Sequence, residues 1–351
     1  MTSEELMKLV ETLKERIIAL IELGIDDKRS SKELLTINNM FDQIGLTVQQ
    51  VLPPELAKSY FYAVDEATDM LNEAGMNVQG KAMVNGTVSP TFNTQAHVEA
   101  VKEIVNDTMM DLNAAFRTAK QNFNAEYEKA VQGVRKDITD GLIDGSNREK
   151  IIKRVYETFS ENGFTSFKTV DGKNLPLEFY ARTVTRTKMT QARNHGHLNR
   201  YTEAGVNLVY VTGREPTCGE CAKYRNRVFC LDGSDKRFPH VDCYSVFPVH
   251  PNCNCKIRPY VIKYKSQADI NKEVQHAKSF NPGKDPRTAE QRKKYETDQE
   301  KKRIARAEDK QYAKMVAVLG DKAPASIGAY RRIKRNNPER FAELQSMMRG
   351  G

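Results

Sequence analysis

Apolar residues at three- and four-residue steps open the chain. Leu6, Leu9, Val10, Leu13, Ile17, Leu20 and Ile21 make one stripe, which predicts an amphipathic helix ended by Leu23-Gly-Ile-Asp-Asp27. A second helical stretch starts near Ser31 and is expected to break at Leu52-Pro-Pro, since proline removes a helical donor; a third runs from about Glu55 to Leu71. From Met83 to Asn93 the pattern lapses into Gly, Pro, Ser and Asn, a loop or short hairpin. Val105, Met109, Leu112, Phe116, Ala119 and Phe123 then step as a heptad seam. Tyr127, Val131, Val134, Ile138 and Leu142 extend it after an extra four-residue step. A helix of about 45 residues is a rod of about 65–70 Å, here ended by Gly141 and Gly145. Two readings stand: a spacer through which the protein is oligomeric, or two shorter core helices bent near Gly133.

Ser146-Asn-Arg-Glu149 is a capping box opening a helix from Lys150 to Phe159. Phe164 to Val170 alternates, Asp171-Gly172 supplies a turn and Lys173-Asn-Leu175 returns, which predicts a β-hairpin. Pro176 starts a helix from about Leu177 to Ala204, ended by Gly205, and Val206 to Thr212 reads as an apolar strand. The fold class expected is α+β, predominantly helical. Its parts are an N-terminal helical segment (1–82), a long helical rod (94–145), a small α+β domain with a Cys/His knuckle (146–262) and a charged, mostly helical C-terminal arm (263–351).

The cysteines change the picture from packing to chemistry. All six, at 218, 221, 230, 243, 253 and 255, fall in one short stretch. Cys218-Gly-Glu-Cys221 lets two thiolates point at one ion from a tight turn. In His250-Pro-Asn-Cys253-Asn-Cys255, His250 and Cys253 form a second possible pair, and Cys255 faces the same way as Cys253 in an extended strand. Cys218, Cys221 and a pair drawn from His250, Cys253 and Cys255 would close a structural zinc site, with 222–249 a looped excursion. The other reading is a thiol cluster without metal, or one closed by a disulfide. Cys230 and Cys243, flanked by Phe229, Leu231, Val241 and Tyr244, pair with each other or sit in ordinary core.

A zinc deaminase would use H-x-E and P-C-x-x-C; His97-Val-Glu99 and Pro216-Thr-Cys218 fit poorly, because Thr217 separates Pro from Cys. His195 and His197 are expected to be solvated, and Arg182, Arg186 and Arg193 to pair with acidic neighbours. No G-x-S-x-G, P-loop or H-E-x-x-H is present. The acidic N-terminus and the short apolar runs predict no secretory signal and no membrane span.

With 29% charged residues and a net charge of +9, an anionic partner such as double-stranded DNA is in reach. Lys and Arg outnumber Asp and Glu between Lys284 and Lys310, and Arg331, Arg332, Lys334 and Arg335 form a basic cluster suited to phosphate or to a protein partner.

These residues carry a resemblance. Ala181-Arg-Thr-Val-Thr-Arg-Thr187 running to Tyr201, then Gly205-Val206, Leu208-Val-Tyr210, Thr217-Cys-Gly-Glu-Cys221 and Phe247-Pro-Val-His-Pro-Asn-Cys-Asn-Cys255 into Ile257-Arg-Pro259 are similar to tailed-phage minor capsid proteins of the head-morphogenesis group, Mu gpF-like and of minor capsid 2 type. Tyr295-Glu-Thr-Asp-Gln299 with Arg303 and Arg306 resembles a helix that follows this domain in one subfamily. The family helix often carries Arg-Thr-Glu where this chain has Arg186-Thr-Lys188, and an Asp where it has Arg214-Glu215. The resemblance implies a non-enzymatic virion component acting in head assembly, bound at the portal protein and other head proteins and in contact with packaged DNA, and present in the host cytoplasm during assembly. The alternatives are a zinc-dependent nucleic-acid-binding module and a zinc hydrolase, for which Glu220 is the only acid inside the ligand motifs.

Overall fold

The computed structural model describes residues 2, 4–6, 8–10, 12–13, 16–17, 30–89, 92, 94–139, 166–168, 174–319 and 322–350. The expected helix 150–159, its capping box and the turn at Asp171-Gly172 lie outside them. The fold is α+β and predominantly helical. Two compact units account for it: residues 1–213 with 224–281, and residues 214–223 with 282–351.

In the larger unit, α1 (Ser30–Glu73), α2 (Gln95–Thr139) and α3 (Leu177–Glu203) pack on one another. Two short hairpins accompany them: β1 (Met83–Val84) with β2 (Thr87–Val88), and β3 (Ser166–Lys168) with β4 (Asn174–Pro176). Leu6, Val10, Leu13 and Ile17 from the N-terminal helical residues join Phe41, Leu52, Tyr60, Leu112, Phe116, Phe123 and Ala181 in one core. α1 runs unbroken through Pro53 and Pro54, contrary to the expected break. Leu52 and Leu56 on either side are fully buried, and this packing outweighs the donors the prolines withhold from the carbonyls of Gln49 and Gln50.

The heptad seam is real, but its partner is this chain. Leu112, Phe116, Ala119, Phe123 and Tyr127 are buried against the same core, with Phe123 6.0 Å from Phe41 and 5.8 Å from Tyr127, ring to ring. Over this stretch α2 is therefore a core helix of a bundle, and it continues past Gly133 as one helix.

α1 and α3 approach closely at Gly196, where a Cβ would run into the carbonyl oxygen of Tyr60. The polar residues beside this crossing are partnered in series. Asn199 Nδ2 donates to the Tyr60 hydroxyl (2.6 Å), which meets His97 Nδ1 at 2.7 Å, and His97 Nε2 faces Glu203 Oε1 at 3.0 Å. Asn199 Oδ1 accepts from the Tyr244 hydroxyl (2.8 Å). Since Tyr60 already accepts one proton, its own goes to Nδ1, which puts the ring proton on Nε2, on the side of the Glu203 carboxylate. The expectation of solvated histidines fails here. His197 is buried, stacked on Tyr201 and 3.1 Å from Glu66, which also pairs with Arg193 at 2.8 Å; His195 Nε2 lies 3.2 Å from the Tyr244 carbonyl.

α3 ends at Gly205 (φ 73) and feeds a three-stranded antiparallel sheet of order β6-β5-β7. β5 (Leu208–Gly213) is central, between β6 (Arg227–Cys230) and β7 (Cys255–Pro259). Leu208 lies opposite Cys230 and Gly213 opposite Cys255. Two one-turn helices, α4 (Gly219–Ala222) and α5 (Cys243–Val246), interrupt the connections. α6 (Gln267–Ala277) packs on β6, where Arg227 Nη1 donates to the His276 carbonyl (2.6 Å) and Ser279 Oγ (2.9 Å).

In the smaller unit α7 (Ala289–Leu319), α8 (Ile327–Asn336) and α9 (Pro338–Gly350) enclose Met315, Tyr330 and Leu344. The charged arm thus has a core of its own.

Gly196→Ala is expected to lower stability by about 1–3 kcal/mol through overpacking, whereas Gly45→Ala, with nothing within 4 Å, is expected to be neutral or to gain up to about 1 kcal/mol. Thermal unfolding of the two variants checks this. Burial holds His197 below its usual value, and the hydrogen bond from His197 lowers Glu66. Both groups bind fewer protons folded than unfolded, so stability falls on acidification. The loss begins as pH drops below about 6.5, where unfolded histidine protonates, and continues below about 4.5 for the carboxylate. A His197→Gln variant is expected to flatten the upper part of that unfolding profile.

Candidate metal centre

β5 hands the chain out of the sheet at Gly213, and Asn226 closes the excursion, donating its N–H to Val211 O (2.7 Å) from a left-handed conformation (φ 58). Inside it, Cys218 is extended (φ −73, ψ 163) and caps α4: its Sγ accepts the Cys221 N–H at 3.4 Å, and its carbonyl accepts the Ala222 N–H at 3.0 Å. This turn rests on a guanidinium. Arg287 Nη1 donates to the Thr217 carbonyl (3.0 Å), its Nη2 pairs with Asp285 (2.8 Å), and its plane lies 5.3 Å from the centre of the Tyr295 ring. The bond from Arg287 holds Asp285 below the usual carboxylate range. A Cβ at Gly219 would press to 3.0 Å of Arg287 and 3.1 Å of Asp285.

The second motif folds as a turn. Cys253 N–H reaches the His250 carbonyl (3.0 Å), with proline in the second position and Asn252 at φ 61 in the third. That is the pattern of a type II turn, which asks for Pro and then for a residue tolerant of positive φ. Cys253 Sγ accepts the Cys255 N–H at 3.4 Å, the counterpart of the Cys218–Cys221 contact. His250 Nδ1 lies 2.8 Å from the Pro251 carbonyl. A proton there donates to that oxygen and leaves Nε2 with its lone pair.

Each motif by itself offers donors from one turn: Cys218 and Cys221 at the start and end of the first, and His250 and Cys253 with Cys255 just beyond in the second. The Cys/His clusters are geometrically compatible with a metal site. Four sulfurs and one imidazole suit zinc and other thiophilic ions rather than calcium or magnesium, which take oxygen. No disulfide joins any of the six cysteines. Cys230 and Cys243 belong to neither group: Cys230 Sγ donates to Asp232 (3.2 Å), and burial pushes the Cys243 thiol up to about 12, so it stays protonated.

His97 sits in the helical core with Tyr60 and Glu203, away from the cysteine groups. Glu220 is exposed and paired with Lys223 at 2.7 Å. In the basic cluster, Arg331 pairs with Glu308 (3.1 Å) and Asp309 (2.9 Å), and Lys334 with Glu308 (3.1 Å); Arg332 and Arg335 are exposed. The arginine at 287 was not singled out by the sequence, although Asp285-Pro-Arg287 carries the signal of an Asp-initiated turn. Nor was Arg225, whose guanidinium would lie 2.5 Å from a Cβ on Gly213.

A family model described as phage minor capsid protein 2 matches residues 54–331. The chain belongs to that family. The match takes in α3, the sheet, both cysteine motifs, all of α7 and the first half of α8. Membership gives the protein a structural role in a phage capsid and places it in the virion. No curated protein and no solved structure matches the chain. Among the described residues no helix is long and apolar enough to cross a membrane.

Zinc held by these motifs would use Cys221 and not Cys243, so Cys221→Ser is expected to abolish zinc retention in the purified protein, whereas Cys243→Ser leaves it unchanged. Metal analysis by mass spectrometry under native conditions reads both outcomes.

Proposed function

We propose that the protein is a non-enzymatic assembly component of the phage head, acting at the portal vertex with the portal protein and other head proteins, and that a structural zinc ion holds its two cysteine motifs. The observation that carries the zinc reading is that the donors Cys218 and Cys221, and His250, Cys253 and Cys255, are each presented from a tight turn of their own. The paired N–H···Sγ contacts support it, because each donates to the first sulfur of its motif and so favours a thiolate there. A structural site of this kind stabilises a fold directly.

The family match supports the head role, and the net charge of +9 supports contact with packaged DNA. In that contact Arg332 and Arg335 are the better-placed members of the basic cluster, since Arg331 and Lys334 already face carboxylates. Such binding reads phosphate and not sequence, and weakens steeply with salt. The core position of the α2 seam from Leu112 to Tyr127 counsels against oligomerisation through that stretch.

A zinc hydrolase reading needs an open coordination position and a carboxylate base. Glu220 is the acid inside the motifs, and its pairing with Lys223 on an exposed turn argues for a surface role.

Co-expression with the portal and major capsid proteins is expected to yield the protein in sedimenting heads. The Glu220→Ala variant is expected to be incorporated at the same level, and Cys221→Ser to fall several-fold. Recovery of the wild-type protein only in the soluble fraction, with no portal, would reject the assembly role.

A further inference from the structure

A cleft of about 370 Å³ opens in the larger unit between α1, α3 and β7. Every residue that lines it belongs to that unit. Its charges are divided by wall. On α1, Glu66 is already engaged by Arg193 and His197 of α3. One and two turns further along α1, Asp69 and Glu73 are exposed, and among the described residues neither has a hydrogen-bond or ion-pair partner. On β7, Lys256 and Arg258 stand two residues apart and so leave the same face of the strand. Both are exposed and likewise unpaired among the described residues. An acidic wall and a basic wall thus line one cleft without pairing directly across it.

The α3 wall adds neutral groups. Asn194 is buried, yet its Nδ2 has no acceptor, and His197 is buried with no partner at Nδ1. His197 Nε2 faces the Glu66 carboxylate, which only accepts, so the proton sits there and Nδ1 keeps a lone pair. One unmet donor and one unmet acceptor therefore lie a turn apart on α3. The Asn194 carboxamide ends on a soft torsion, and a small rotation presents it to the cleft. Polar groups buried without partners are costly, and a peptide group, with one carbonyl and one N–H, answers both. A nucleic acid would instead bring phosphates against Asp69 and Glu73. We propose that the cleft takes a short extended segment of a partner head protein, with a basic side chain toward Asp69 and Glu73, an acidic one toward Lys256 and Arg258, and a peptide group on Asn194. Its volume is at the small end of the range for ligand sites, which suits a few residues and not a folded surface. The inference rests on the head-assembly reading only for the source of the segment, and it needs no zinc.

The test is fluorescence anisotropy of the full chain with labelled, end-blocked peptides that carry one lysine and one glutamate, in either order, joined by up to a few alanines. Peptides with two lysines or two glutamates at the same spacing are the controls. At least one mixed peptide is expected to bind about tenfold tighter than either control, because a like charge is set against each wall in turn. Asp69→Asn together with Glu73→Gln, and Lys256→Gln together with Arg258→Gln, are each expected to weaken that peptide by about tenfold, the worth of a hydrogen bond to a charged group, and to reduce its sensitivity to salt. These four positions are exposed, so both double variants are expected to unfold at the wild-type temperature. Asn194→Ala is expected to weaken binding by about fivefold; if it does not fold, the double variants carry the test. No binding by any mixed peptide, equal binding by the two-glutamate control, or wild-type affinity in any folded variant overturns the peptide site. The head-assembly reading is judged separately, by recovery of the protein in sedimenting heads, and it stands or falls without this result.

Discussion

The seat of α3 on α1 at Gly196 is the constraint from which the larger unit is built. Backbone meets backbone there, with the Tyr60 carbonyl against the bare glycine, so the two helices cannot slide without a clash. Tyr60 and Asn199, close by, then fall within hydrogen-bond reach, and through Asn199 the Tyr244 hydroxyl is drawn in. Tyr244 lies on α5, just upstream of the Phe247-to-Cys253 segment. Five residues after α3 ends, β5 begins, with Tyr201 donating to the Ile257 carbonyl of β7 (3.2 Å). The helical layer thus sets where the sheet starts and how its edge strand lies.

Much of this was legible in the residues, wherever a single local rule decided. The seam from Val105 to Tyr127, the hairpin strands around 166 and 175, the helix from Leu177 and the strand after Gly205 follow from periodicity and turn chemistry. What escaped were effects of tertiary context. Pro53 and Pro54 break a helix by local propensity, yet Leu52 and Leu56 bury completely and hold it together. His97, His195 and His197 look like polar surface residues in one dimension; their partners Tyr60, Tyr244 and Glu66 come from segments 37 to 131 residues away. The core of the C-terminal unit is spread thinly over Met315, Tyr330 and Leu344 within a strongly charged sequence, which hides its periodicity.

The candidate metal site divides along the same line. Candidate ligands could be named directly, because cysteine and histidine at those spacings have few other uses. The supports around them could not. Arg287 lies 66 residues beyond Cys221, and nothing in its neighbourhood marks the side chain as the prop of that turn. Only the bond from its guanidinium to the Thr217 carbonyl reveals it.

The turn at Asn252 has a consequence for how such motifs vary. Its positive φ is tolerated by Asn or Gly and resisted by a β-branched residue, while Pro251 pre-sets the angle before it. Two positions that offer no ligand atom to an ion are thereby placed under a steric restriction of their own. His-Pro-Asn-Cys spells a shape as well as a set of donors. A substitution such as Asn252→Val would disorganise the donors on either side while leaving every one of them in place.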